Sequence, residues 1–208
     1  IVIISGIIAT IALLLSVQET FLPDGEIYSS IIGVHLSCLT LSFVLIFAIR
    51  NVVEQYENVY ATVGIHPHDS KDLSENYLLE LEKLSKSNKV VAIGEIGIDN
   101  YRNHSPQDVQ KKVMIEQMEL AYKLNLPIVF HNRDADSEIF DVLKKHPFHK
   151  ALSHCFSSDL NFAKKLISHG IKISFSGNVT FKNATNTEVV ENISLDDFML
   201  ETDCIFRL

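Results

Sequence analysis

From Asn51 onward, short apolar runs alternate with stretches in which apolar residues recur every three or four positions. The runs Val59–Ile65, Val90–Asp99, Pro127–Phe130, Lys150–Ser153, Ile171–Phe175 and Phe198–Glu201 read as strands. The densest, Val90-Val91-Ala92-Ile93, has the character of a strand buried on both faces. Between the runs the pattern predicts helices. Ser74 is placed to cap one whose stripe is Tyr77, Leu78, Leu81 and Leu84. Ser105-Pro106-Gln107-Asp108 reads as a Ser cap, Pro at the first helical position and a carboxylate in the first turn, ahead of Val113, Met114, Met118, Ala121 and Leu124. Three more helices are marked by Ile139, Phe140 and Leu143, by Leu160–Ser168 with its stop at Gly170, and by Val189, Val190 and Ile193.

Strand followed by helix, without hairpin signals, builds right-handed βαβ units and a parallel sheet. Six such strands lie between Val59 and Asp203, and one or two upstream would bring the count to a (β/α)8 TIM barrel. A doubly wound open sheet is the alternative. It is disfavoured because the chemically interesting residues do not gather at one switch point. They follow strand upon strand: His66 and His68, Glu95, His131, His154, Asp203. In a barrel all strand C-termini open on one face, where residues distant in sequence meet.

The first fifty residues have a different pattern. Ile1–Val17 carries no charge, and a second apolar run, Ile31–Ile49, is closed by Arg50. A polar, acidic link, QETFLPDGEIYSS, separates them. Each run is near the length that spans a bilayer as a helix, and Arg50 would leave the rest of the chain on the cytoplasmic side. Buried barrel elements fit less well, because Leu41–Ile49 shows almost no polar face. The organisation read here is thus an apolar region over 1–50, membrane-associated or not native to the fold, and a barrel over 51–208.

Composition narrows the function. With 208 residues, 47% of them hydrophobic, the chain can bury one sizeable core. Its net charge of −8 argues against gripping nucleic acid by bulk electrostatics, but not against an enzyme whose metal ions supply positive charge locally. Three cysteines, Cys38, Cys155 and Cys204, fit neither a zinc ribbon nor a disulfide framework and read as reduced, intracellular thiols.

Glu95 stands between Gly94 and Gly97 at the end of the apolar run, where a carboxylate is costly unless something cationic meets it. Histidines and carboxylates converging on one barrel mouth are ligands for a divalent cation, and a carboxylate can bridge two. His131 and His154 repeat the strand-end placement; His104, His146, His149 and His169 read as surface or satisfied polar residues. Cys155 and Cys204 each follow a candidate ligand, so in extended chain they would point the other way and pack.

Six motifs occurring in order carry a resemblance: GIHPHD at Gly64–Asp69, GEIGID at Gly94–Asp99, HNRDA at His131–Ala135, SHCFSS at Ser153–Ser158, SFSGNVTFKN at Ser174–Asn183 and LETDC at Leu200–Cys204. Together they resemble the TatD family of metal-dependent deoxyribonucleases. The resemblance implies a TIM-barrel hydrolase that cleaves DNA phosphodiester bonds, often as a 3′ to 5′ exonuclease, with a site for two divalent ions such as Mg, Mn or Zn. It implies that Glu95 bridges the metals, that His131 and His154 complete one site, and that Asp203 serves the other site and the attacking water. His66, Arg133 and Lys182 become contacts to substrate phosphate. DNA is the expected partner, no protein partner is expected, and the expected compartment is the cytoplasm, or a membrane anchored through 1–49 with the barrel facing the cytoplasm.

The chain departs from the family pattern at both ends. No His-x-His pair stands near the start, where the family holds its second metal, and His35 alone does not replace it. After LETDC the sequence turns to Ile205-Phe206-Arg207-Leu208. The expectation is therefore an incomplete barrel, with an atypical first strand and no last helix, holding two metals or one. A catalytically impaired, membrane-tethered relative is the alternative.

Overall fold

The computed structural model describes residues 2–4, 56–57, 59–182, 184 and 186–201. The apolar runs over 1–49 fall outside these residues except for Val2–Ile4, as do Asp203, Cys38 and Cys204. The chain divides into two compact units, Ile1–Ala61 and Thr62–Leu208. In the first, β1 (Val2–Ile4) runs parallel to the start of β2 (Val59–Val63), with Val2 opposite Val59 and Ile4 opposite Ala61.

The second unit is built as the alternation requires. Its strands are β3 (Val90–Asp99), β4 (Ile128–Arg133), β5 (Ala151–Ser153), β6 (Lys172–Phe175) and β7 (Phe198–Leu200). They pair in sequence order and all in parallel. The crossovers are α2 (Gln107–Lys123), α3 (Asp136–Lys145), α4 (Leu160–Ser168) and α5 (Thr187–Asn192), and α1 (Tyr77–Leu84) precedes β3. This sequential parallel order with helical crossovers is the αβ succession of a (β/α)8 barrel, present in part. The core lies between strands and helices: Ile93, Ile96 and Ile98 of β3 and Phe130 of β4 pack with Met114 and Met118 of α2, Ile139 of α3 and Leu166 of α4, all fully buried.

β3 and β4 approach closely where the site is made. Their register slips between Ile93 and Ile96, so Gly94 and Glu95 fall in an irregularity of the ladder. Such irregularities re-aim side chains near active sites. A Cβ at Gly94 would lie 2.7 Å from Val129 Cβ, so a larger residue would force the strands apart at this point.

Several local expectations need correction. α1 starts at Tyr77 with Asn76 at its cap position and no side-chain cap bond, so Ser74 does not cap it. Leu84, expected in the buried stripe, is 44% exposed; Leu81 is buried in the core, with Tyr77 and Leu78 partly buried against it. At α2, Pro106 holds the cap position, with extended ψ of 140°. Ser105 instead donates its hydroxyl to His68 O at 2.7 Å and accepts the Lys71 N–H at 3.1 Å, tying down the loop after β2. α4 runs Leu160–Ser168 as expected, capped by Asp159, and Gly170 follows in the left-handed region with φ 74°.

Candidate metal centre

The site is assembled at the C-terminal ends of the strands. Two buried glutamines on one face of α2, seven residues apart, fix those ends. Gln117 Oε1 accepts the Ile65 N–H at 2.6 Å and its amide donates to Ile65 O, immediately before His66. Gln110 Oε1 accepts the Asp99 N–H at 2.8 Å, at the end of β3. Each amide satisfies strand-end backbone groups that the ladder leaves open.

Glu95, 9% exposed, is the centre of the arrangement. Three imidazoles face its Oε1: His131 Nδ1 at 3.2 Å, His154 Nε2 at 3.8 Å and His66 Nε2 at 3.9 Å. Burial by itself would raise the carboxyl's pKa. The hydrogen bond from His131 and the charges of His154, His131 and His66 outweigh it and hold the carboxyl low.

Each ring is held from behind. Asp99, fully buried, places Oδ2 3.0 Å from His131 Nε2 and 2.8 Å from His68 Nε2, while Oδ1 accepts the Arg102 N–H at 2.7 Å. Burial would raise this carboxyl too, but its bonds with His131, Arg102 and His68 hold it well below the usual range. His131, between two carboxylates, is pushed up to about 9, the bonds to Asp99 and Glu95 overcoming the opposing effect of burial. Glu201 Oε2 lies 2.5 Å from His154 Nδ1.

His66 differs. Burial and the neighbouring His131 and His68 lower its pKa to about 4 despite the pull of Glu95, so the ring is neutral at pH 7. Its Nδ1 accepts the His68 N–H at 3.2 Å. In a neutral ring the other nitrogen then carries the proton, so Nε2 turns an N–H toward Glu95. Geometry alone groups His66, Glu95 and His131 as cation ligands, with ligand atoms all within 4.8 Å of one another. The bond to Nδ1 gives His66 an N–H, rather than a lone pair, on the side facing Glu95.

Thus Glu95, His131, His154 and His66 meet at one place. Arg133 lies two residues beyond His131 on β4, with its guanidinium carbon 4.1 Å from the centroid of the exposed Tyr101 ring. Lys182 is exposed beyond the turn Gly177–Thr180, and among the described residues no contact joins it to the Glu95 cluster. His104 is exposed, its ring edge-on to His68 at 4.7 Å. Cys155, expected to pack away from the site, has left-handed backbone (φ 46°), so the extended-chain alternation fails there. Its Sγ lies 3.0 Å from Ser176 Oγ. Asp99, Glu201, Gln110 and Gln117 were not singled out from sequence. The final Asp of GEIGID and the Glu of LETDC were the visible signals for the first two.

A buried carboxylate ringed by imidazoles at the strand ends of a parallel βα fold offers the donor set of a divalent-cation site. The family profile described as "TatD related DNase" matches residues 28–206, and the chain belongs to that family. It is 41% identical over 158 residues to "Uncharacterized metal-dependent hydrolase YabD" of Bacillus subtilis, covering 74% of this chain and 62% of that protein. It is 35% identical over 167 residues to "Deoxyribonuclease Tat-D" of Schizosaccharomyces pombe, covering 74% of this chain and 53% of that one. Among solved structures, the Escherichia coli TatD homologue YJJV superposes with TM-score 0.70 at 30% identity, over 75% of this chain and 62% of its own. The chain therefore spans between about half and three-fifths of the length of these relatives. Among the described residues no helix is long and apolar enough to cross a membrane.

Proposed function

We propose that this chain carries the catalytic site of a metal-dependent deoxyribonuclease that removes nucleotides from DNA with 3′ to 5′ polarity. The observation that supports it most is the single oxygen of buried Glu95 approached by three imidazoles within 3.9 Å. A carboxylate with imidazole nitrogens is a donor set for Zn, Mn or a similar ion, and a carboxylate this buried calls for positive charge. Glu95, His131 and His154 would hold the cation, with Asp203 as a further ligand and proton acceptor.

A bound divalent cation supplies acidity to water and draws charge from a phosphoryl oxygen. The chain's own groups do the rest. Asp99 and Glu201 hold two of the rings in place. His66 offers its Nε2–H to a non-bridging phosphate oxygen. Arg133 and Lys182 would contact substrate phosphate with fixed charges. With Glu95, Asp99 and Glu201 at the site of a chain of net charge −8, bound cations would have to supply the local positive charge that attracts DNA. The deoxyribonuclease name of the fission-yeast relative supports DNA as the substrate class.

The test is digestion of 5′-labelled single-stranded DNA by purified protein with added Mn or Mg. The expected result is a ladder shortening stepwise from the 3′ end, dependent on metal and abolished by Glu95→Ala. A ladder unchanged by Glu95→Ala would remove the basis of the proposal.

A further inference from the structure

Glu201 follows directly on β7, and its carboxylate is fully committed. Oε2 lies 2.5 Å from His154 Nδ1, while Oε1 accepts from Ser174 Oγ at 2.5 Å and from the Cys155 N–H at 2.6 Å. Both partners are pinned through their backbones: the Glu201 N–H donates to Phe175 O at 3.0 Å, and the His154 N–H to Phe130 O at 2.9 Å. The pair is therefore built into the ends of β4, β6 and β7 and does not depend on a mobile side chain finding its partner.

An ionised carboxylate only accepts hydrogen bonds, so the hydrogen between these groups belongs to His154 Nδ1. A neutral ring so protonated has its lone pair on Nε2, and Nε2 is the atom turned toward Glu95 Oε1 at 3.8 Å. We infer that Glu201 is a positioning residue, which fixes His154 as the Nδ1–H tautomer and keeps the Nε2 lone pair directed at the metal centre. The contrast with His66 supports this. Both rings present Nε2 to the same oxygen, but a carboxylate stands behind one and a backbone N–H behind the other. The group behind each ring decides whether the inward nitrogen binds or donates. A carboxylate behind a ligating imidazole also raises its basicity, and losing such a partner costs about 10- to 100-fold in metal affinity.

The inference rests on the metal-centre reading, and the experiment separates the two. Two-bond nitrogen–proton spectra of the metal-free, 15N-labelled full chain, taken where the ring is neutral, report the His154 tautomer directly. The wild type is expected to show Nδ1–H. In Glu201→Gln the amide N–H faces Nδ1, so the ring should switch to Nε2–H and Zn binding by calorimetry should weaken about 10- to 100-fold. Ser174→Ala removes a partner of Glu201 without touching His154. It should keep the wild-type tautomer and change Zn affinity by no more than about twofold. A wild-type ring found as Nε2–H overturns the inference, even if Glu201→Gln fails to fold. Unchanged Zn affinity in a folded Glu201→Gln also overturns it. A wild type that is Nδ1–H but binds no Zn supports the pairing and refutes the metal centre instead.

Discussion

A Cβ placed on Gly97 would lie 2.0 Å from the carbonyl oxygen of His131. The two residues are register partners on β3 and β4, and Gly97 has φ 139°, a conformation essentially closed to other residues. The strand pair that carries Glu95 and His131 can close to this distance only because Gly97 has no side chain. Gly97→Ala should therefore lower stability by roughly 3 kcal/mol or more, from backbone strain and clash together. Gly177, with open space around it, serves as the control: Gly177→Ala should stay within about 0.5 kcal/mol. Urea midpoints of the two variants check the difference.

Two histidines of the site are shifted in opposite directions, which makes stability of the metal-free protein depend on pH on both sides of 6.5. His131 rises from its ordinary 6.5 to about 9 in the fold, so its contribution is complete below 6.5 and is lost as pH climbs through about 9. His66 falls from 6.5 to about 4, so its contribution is present above 6.5 and is lost as pH drops through about 4. The melting temperature should peak near pH 6.5, and His131→Gln should remove most of the alkaline decline. An alkaline limb of wild-type steepness in that variant would contradict the assignment.

The site was legible in the sequence where chemistry coincided with strand ends. Glu95, His131 and His154 stand after apolar runs, and the parallel order of β3 to β5 brings them together. What stood outside the reading were groups whose role depends on approach through space. Asp99 reads as the last letter of a motif, yet it holds two imidazoles at once. Gln110 and Gln117 look like ordinary polar positions of a helix, and only the packing of α2 shows that they close the ends of β3 and β2. Helix caps were misjudged for a related reason. Ser105 had a better partner in the His68 loop than in its own helix, a competition that local sequence does not display.

Removing the charge of Asp99 should expose how much it carries. Asp99→Asn leaves two imidazole donors and the Arg102 N–H facing a neutral amide in a fully buried position. Losing a buried ionic acceptor of this kind costs about 2 kcal/mol or more. The same change should bring the His131 titration below the wild-type value of about 9, because one of its two carboxylate partners is gone. Chemical denaturation and NMR titration of the His131 ring measure the two effects separately.

Arg133 belongs to the substrate side of the account, stacked on the exposed Tyr101 ring at 4.1 Å and making no contact with Glu95 among those described. Arg133→Ala should weaken DNA binding and lower the salt dependence of log K against log[salt] by about one unit of slope. Its metal affinity should match the wild type. Loss of metal binding in this variant would show that Arg133 supports the centre rather than the substrate.

Calorimetric titration of the metal-free protein with Zn asks whether Glu95, His131 and His154 share a divalent cation, as we propose. Saturable, stoichiometric binding accompanied by proton release from His131 is expected, with binding lost in Glu95→Ala while the far-ultraviolet circular dichroism spectrum stays that of the wild type. A folded Glu95→Ala that binds Zn with wild-type affinity would contradict it.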